Sequence, residues 1–265
     1  LTPNPCVECN RSVKFDHFIE QAKKLNCEKV ATGHYAKIIK KNNEYELHKA
    51  DYLDKDQSYV LHMLKSSDLA HISFPLGEIS KPDVRQIAAR IGLKTAFKKD
   101  SQDICFVGKK NYRTFVEKRI DLTSPGEIFD TEGNKVGDHN GIHEFTVGQR
   151  KGLPGGYSTP RYVTKINVQN KNVTIGEKND LLMSSFIVEE LSCVNDLEYK
   201  NLTIQTRYNS EDLPCDIKKL SDTKVLVQLK EPAFGVAPGQ FGVVYNGTKV
   251  VCGGRISPKV LENIG

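Results

Sequence analysis

The apolar positions of the first quarter of the chain recur at helical spacing. Val13, Phe15, Phe18, Ile19, Ala22 and Leu25 alternate with Lys, Glu and Gln, which predicts an amphipathic helix ended by Asn26. Lys29–Thr32 then reads as a short buried strand running into Gly33-His34-Tyr35. A helix followed by a strand that ends in a glycine turn predicts a parallel α/β sheet, whose ligands sit at the C-terminal ends of the strands. Gly33 there would let a ligand approach the backbone. Alternating segments at 35–40 and 45–50 flank Asn42-Asn43 and predict a hairpin. The polar stretch 51–58 leads into a helix through 59–64. Ser80-Lys81-Pro82-Asp83 gives a helix start, Val84, Ile87, Ala88 and Ile91 a stripe, and Gly92 a stop. Lys94-Thr95-Ala96 resembles a further short strand.

After about Gly108 the period changes from helical to alternating. Strands are predicted at 126–130 and 162–167, each followed by Gly, Asn or Asp turns, with the Gly- and charge-rich segment 148–156 between them as an exposed loop. From about Phe186 the alternation becomes regular, at 202–207, 215–220, 224–229, 241–245 and 250–254, and predicts a small β-barrel or sandwich. The expected architecture is α/β: part of a Rossmann-like domain of the PP-loop ATPase type over 1–110, a small β-rich domain over 111–182, and a β-barrel over 183–265. The doubly wound sheet of the first domain is expected to lack its first strands, which would leave apolar surface exposed.

Composition adds few constraints. The chain has 265 residues, 38% hydrophobic and 27% charged, and no apolar run long enough to span a bilayer. With no basic-then-apolar leader, the reading is cytoplasmic. Seven unevenly spaced cysteines do not form a secreted disulfide framework. Cys27, Cys193, Cys215 and Cys252 sit among apolar neighbours and read as buried structural thiols. The net charge of +5 is concentrated at the start: Lys+Arg exceed Asp+Glu by 19 to 14 over 1–110, against 10 to 9 over 111–185 and 9 to 10 over 186–265. A polyanion could dock on that part, although a solvated face explains so mild an excess almost as well.

The chemistry concentrates in Cys6, Cys9 and Cys105. Pro5 fixes φ before Cys6 and Asn4 can cap the turn, which would put both thiols on one face of a helix's first turn. Free amides, the helix dipole, Arg11 and Lys14 would all favour a thiolate there. Cys-x-x-Cys by itself is compatible with a redox pair, half a zinc site, iron–sulfur ligands or two unrelated thiols. Adding Cys105, 96 residues on from Cys9, allows a three-cysteine metal or cluster site and equally a two-thiol transfer pair. His34 could contact a ligand or be a polar rim residue, and Lys55-Asp56-Gln57 could be only a solvated turn. Arg207-Tyr208 pairs a phosphate-binding fork with a stacking ring, but on a strand the two would point to opposite faces.

Six motifs occur in order: Thr2-Pro3-Asn4-Pro5-Cys6-x-x-Cys9-Asn10, Ala31-Thr32-Gly33-His34-Tyr35, Asp54-Lys55-Asp56-Gln57-Ser58-Tyr59, Asp100-Ser101-x-x-Ile104-Cys105-Phe106, Gly148-Gln149-Arg150-Lys151-Gly152-Leu153 and Pro238-Gly239-Gln240. Together they resemble the bacterial tRNA-specific 2-thiouridylase family, from residue 2 to about 256. The resemblance implies an enzyme that uses ATP, with magnesium, to adenylate the wobble uridine of tRNA at C2, and then replaces that oxygen with sulfur. It implies Cys9 as nucleophile and Cys105 as persulfide carrier, the two closing a disulfide as sulfur is released. Asn4, Pro5 and Cys6 would line the target base, and Gly33 would touch ATP. His34, Lys55, Asp56, Gln57, Arg207, Tyr208 and Gln240 would contact tRNA. A cysteine desulfurase or sulfur-relay protein would be the donor, and no membrane partner is implied. The family's Ser-Gly-Gly-x-Asp-Ser phosphate loop is not in the sequence, so the chain alone is expected neither to adenylate nor to thiolate. Cys6 stands where some relatives carry Asp, which keeps open an iron–sulfur cluster on Cys6, Cys9 and Cys105. A tRNA-binding module with purely structural cysteines is the alternative from a different class.

Overall fold

A computed structural model describes residues 4–98, 124–192 and 199–257. The stretch 100–106 with Cys105, and Cys193, lie outside the described residues.

The chain opens with helix α1 (Pro5–Glu8), a π-helical stretch (Cys9–Phe15) and α2 (Asp16–Lys24). Here the structure corrects the periodicity reading. Phe15 and Ile19 are buried, whereas Val13, Phe18 and Leu25 are exposed. A π-helical stretch turns more slowly per residue than an α-helix, so a stripe spaced for 3.6 residues per turn is split across it. Asn26 does end the helix, in the left-handed conformation at φ 55°.

Strand β1 (Val30–Ala31) follows. The hairpin β2 (Lys37–Lys41) and β3 (Glu44–His48) turns at Asn42 and Asn43, both at positive φ, as a two-residue turn between twisted strands requires. Helices α3 (Ser58–Leu61) and α4 (Ser66–Leu69) lead to β4 (Ile72–Ser73), which pairs with β1 in parallel. Helix α5 (Lys81–Arg90) has Ser80 as its cap, accepting from the Asp83 amide, and Gly92 follows it at φ 76°. The stripe on α5 is not buried: Ile87 and Ile91 face solvent. No strand forms at Lys94–Ala96. Once Gly92 has reversed the chain, Ala96 N donates to Leu93 O and Lys98 N to Thr95 O, so the segment coils in tight turns.

The middle unit is a four-stranded sheet made of β5 (Gly126–Phe129), β6 (Lys135–His139), β7 (Tyr162–Asn167) and β8 (Asn172–Gly176), in the order β6-β5-β8-β7. Its core is Ile128, Ile142, Phe145, Val163, Val173 and Ile175. Residues 148–156 form a loop, as composition predicts.

The last unit comprises β9 (Leu182–Ser192), β10 (Leu202–Gln205), β11 (Leu213–Ser221), β12 (Lys224–Phe234), β13 (Phe241–Asn246) and β14 (Lys249–Ile256). They pair in the order β13-β10-β11-β12-β9-β14, and β14 returns to β13, so six strands close a barrel and leave no open edge among them. Cys215 and Cys252 lie in its core as expected, and burial pushes the Cys215 thiol up to about 12. Cys27, expected to be buried, is exposed, because it follows the left-handed Asn26 at the surface end of α2.

Strand β13 is apolar on both faces, the pattern of a strand covered on each side. Val244 faces the barrel core, while Phe241, Val243 and Tyr245 pack with Val7, Phe15, Tyr59, Leu61 and Ile72 of the first unit. Polar links secure this seam. Tyr59 Oη donates to Phe241 O at 2.8 Å, and Ser192 Oγ donates to His62 O at 2.5 Å. The His62 ring lies in the seam, 5.1 Å from the Phe241 ring and against Gly253, where any Cβ would collide with it.

His62 is 2% exposed, its Nδ1 donates to Tyr59 O at 2.7 Å, and burial lowers its pKa from 6.5 to about 4. The unfolded chain therefore takes up this proton first as pH falls. The stability contributed by neutral His62 is complete above 6.5 and is lost between 6.5 and about 4, to a total of about 3 kcal/mol. Urea unfolding at pH 7 and pH 4.5 should show a smaller acid loss for His62→Gln than for the parent chain, since an amide does not titrate.

Candidate functional site

The cysteine turn is the capped start of a helical run that continues as a π-helix. Asn4 Oδ1 accepts from Cys6 N at 3.2 Å, Pro5 occupies the first helical position, and the Cys9 amide donates back to Cys6 O and Pro5 O. Cys9 is itself helical and lies one turn on from Cys6, at the point where α1 passes without a break into the π-helical stretch. Cys6 is exposed and Cys9 half-buried. Asn10 follows, 4% exposed, with Nδ2 donating to Val60 O at 3.2 Å. Its Oδ1 is buried without a hydrogen-bond partner among the described residues. The turn therefore rests on α3, and α3 rests on β13.

Beside the turn, the β1 and β4 strand ends carry Thr32-Gly33-His34. Among the described residues a Cβ on Gly33 would meet Leu76 Cδ1, at 3.7 Å, an ordinary contact that leaves room for a ligand to approach the strand end. His34 packs against Phe15 and Phe74, with ring centroids 5.6 and 5.9 Å away, and its Nδ1 is 2.8 Å from Thr32 Oγ1. Burial, and then the charge of Lys14, lower its pKa to about 4, so His34 is a neutral ring at physiological pH. A neutral imidazole offers one donor and one acceptor rather than a phosphate-binding cation.

The loop carrying Lys55-Asp56-Gln57 is pinned rather than solvated. Asp56 is 8% exposed; its Oδ1 accepts from Ala50 N at 2.8 Å and Ser58 N at 3.3 Å, and its Oδ2 from Ser58 Oγ at 2.6 Å. Burial raises the Asp56 pKa, and the hydrogen bonds from Ser58 and Ala50 oppose that rise. Gln57 Oε1 accepts from Tyr35 N at 3.0 Å. Ser58 Oγ also lies 3.1 Å from Tyr245 Oη of β13, and the Lys49 ammonium sits 4.1 Å over the Tyr245 ring while pairing with Asp212. Lys55, half-buried, sits at the end of a single helical turn, Leu53–Lys55.

Across from this loop, β10 ends at Gln205, so Arg207 and Tyr208 stand in a turn and are not held to opposite faces. Tyr208 is 41% exposed, 6.1 Å from the Tyr59 ring. Arg207 lies between two glycines at positive φ: a Cβ on Gly148 or Gly235 would come within 3.7 or 3.4 Å of its guanidinium. Gly148 belongs to the middle unit's loop, so three units converge here. A cleft of about 550 Å³ opens between the two loops, lined by Lys49, Leu53, Asp54, Asp56, Gln205, Tyr208, Asn209, Ser210, Glu211 and Asp212. Gln240 is more distant in role: its backbone closes the turn between Ala237 and Ile256.

Among the described residues no cluster of three His, Cys, Asp or Glu side chains could hold a metal ion, and the cluster alternative depends on Cys105, outside them. Sequence reasoning missed Asn10, Tyr245 and Arg255 as supports of the site. Asn10 carried a signal, as the last residue of the cysteine motif. Arg255 carried none, since only the barrel's closure brings it back to residue 8.

The three-unit order defines a class of tRNA-modifying protein. Family models match in that order: the tRNA methyl transferase HUP domain over 1–109, the tRNA methyl transferase PRC-barrel domain over 113–177, and the aminomethyltransferase β-barrel domain over 183–256. The chain is 42% identical to tRNA-specific 2-thiouridylase MnmA of Chloroflexus aggregans, over 97% of its own length and 73% of the relative's. It is 39% identical to the protein of the same name from Rickettsia prowazekii, over 98% of its length and 74% of the relative's. The corresponding protein of Lachnoclostridium phytofermentans is 40% identical, over 96% and 73%. The chain belongs to the tRNA-specific 2-thiouridylase family.

Because Asp56 satisfies two buried amides and a hydroxyl, Asp56→Ala should cost about 2–3 kcal/mol. Asp56→Asn, which keeps the Oδ1 acceptor, should cost less. Urea unfolding midpoints of the two variants check the order.

Proposed function

We propose that the protein thiolates C2 of a tRNA uridine, at wobble position 34. Identity of about 40% along nearly the whole chain to proteins named tRNA-specific 2-thiouridylase carries this reading. Tyr208 and the loop of Lys55 line a common cleft between the first and last units, and Arg207 stands next to Tyr208 against Gly148 of the middle unit, which supports a substrate that spans more than one unit. When bound, ATP with magnesium would supply adenylation of the uridine O2, making it a leaving group. The open end of β1 at Gly33 fits the approach of a nucleotide. Asn4, Pro5 and Cys6 would face the target base at the start of α1, and neutral His34, Gln57 and Gln240 would offer uncharged polar contacts to RNA.

In the sulfur step, the terminal sulfur of a Cys105 persulfide bonds to C2 as AMP leaves. The Cys9 thiolate then attacks the Cys105 sulfur; the bond between that sulfur and the transferred one breaks, and a Cys9–Cys105 disulfide forms. A thiol reductant resets the pair, and a desulfurase or sulfur-relay protein reloads it.

The experiment is tRNA thiolation by the full-length protein and its Cys9→Ser and Cys105→Ser variants, read as 2-thiouridine by mass spectrometry. Both variants should lose at least 100-fold in rate, on the order expected when a nucleophile is removed. Unchanged thiolation in Cys105→Ser would defeat the persulfide route and favour a binding module with structural cysteines. Arg207→Ala should weaken tRNA binding with little change in sequence preference, and reduce the slope of log K against log salt by about 1 if the guanidinium neutralises one phosphate.

A further inference from the structure

We propose that Arg255, on the C-terminal barrel, is a positioning residue for the cysteine turn: it holds Glu8, the neighbour of Cys9, against the barrel. Its Nη2 lies 3.2 Å from Glu8 Oε1 and its Nε 3.4 Å from Glu190 Oε2, so one guanidinium joins the turn to two barrel strands. The guanidinium carbon sits 5.0 Å from the centroid of the Phe241 ring, which is 1% exposed and belongs to the residue's register partner on β13.

The barrel is locally deformed where this happens. From Gly253 to Arg255 β14 advances two residues, while its partner β9 passes from Ser192 to Glu189, three residues, so β9 carries a bulge. Within the bulge Glu190 is held at φ 57°, a left-handed conformation unfavourable for a side chain of its size. A bulge re-aims side chains, and this one turns the Glu190 carboxylate onto Arg255. Helix α1 gains from such an anchor. It is the first turn of a helical run that continues through Cys9–Phe15 into α2, Val7 is its one buried residue, and helix ends fray unless tied down. Asn10 fixes the far side of the turn through Val60, and Arg255 fixes the near side through Glu8. A lysine could not take over, since it lacks the planar fork that serves both carboxylates and stacks on Phe241.

The consequence for sulfur transfer rests on the thiolation reading above; the latch itself does not. Hydrogen exchange of the chain tests the latch. Peptides covering residues 4–15 should exchange about three- to fivefold faster in Arg255→Ala and in Glu8→Gln, with the double variant no faster than either single one, while peptides from β11 and β12 stay unchanged. Arg255→Lys should fall between. Unchanged exchange in the turn, additive effects in the double variant, or equal acceleration in the barrel peptides would overturn the latch. In the full-length protein Arg255→Ala should lower kcat for thiolation about threefold and leave KM for tRNA unchanged. An altered turn with unaltered kcat would refute the positioning role. Absence of thiolation in the parent protein would instead count against the functional reading, and exchange would still judge the latch.

Discussion

The burial of β13 on both of its faces is the constraint on which the rest depends. Val244 on one side completes the barrel core, while Phe241, Val243 and Tyr245 on the other complete the core of the first unit. Removing a strand of this kind from either neighbour would expose several large side chains, each worth about 1.5–3 kcal/mol when fully buried. The two units are therefore one packed body along this seam. Among the described residues, much of the candidate site lies within reach of it: Tyr59 and Ser58 on α3, the Asp56 loop, and through Asn10 the cysteine turn itself.

That arrangement explains why the candidate site is drawn from distant parts of the chain. The cysteine turn is the exposed first turn of its helical run, with Val7 as the one buried residue of α1, and the parallel pair β1–β4 has only two residues in each strand. Neither would hold reactive groups in place without backing. The backing comes from the barrel, through hydrogen bonds such as Tyr59 to Phe241 O and through the Lys49–Tyr245 contact. A polar cleft bounded by loops of the first and last units, with Arg207 seated on a glycine of the middle one, is the natural outcome of this packing.

Much of the fold was legible in sequence, for physical reasons that can be named. Alternation located five of the six barrel strands, Asn42-Asn43 supplied the positive φ its hairpin turn needs, and Ser80 with Gly92 bracketed α5. The helix before Asn26 was misread in phase because a π-helical stretch breaks the 3.6-residue period. Lys94–Ala96 was misread as a strand because three residues carry too little pattern to separate extended chain from successive turns. Strands β6 and β8 were missed, each being only five residues long and carrying a glycine, with Asn172 also opening β8 as a turn former. Of the candidate site, the motif residues were visible as local clusters. Asp56 was visible as a polar loop residue, but its buried hydrogen bonds were not. The partners on β13 and β14 were invisible, because closing the barrel is what brings residues about two hundred positions apart together.

The claim that the cysteine-bearing unit and the barrel form one cooperative body is tested most directly by thiol labelling across a urea titration. Val60, buried on α3, would be replaced by cysteine and its labelling compared with that of native Cys252 in the barrel core. A common urea midpoint for the two thiols is the predicted result. Labelling at position 60 well before Cys252 would show that the first unit opens without the barrel, and would contradict the account.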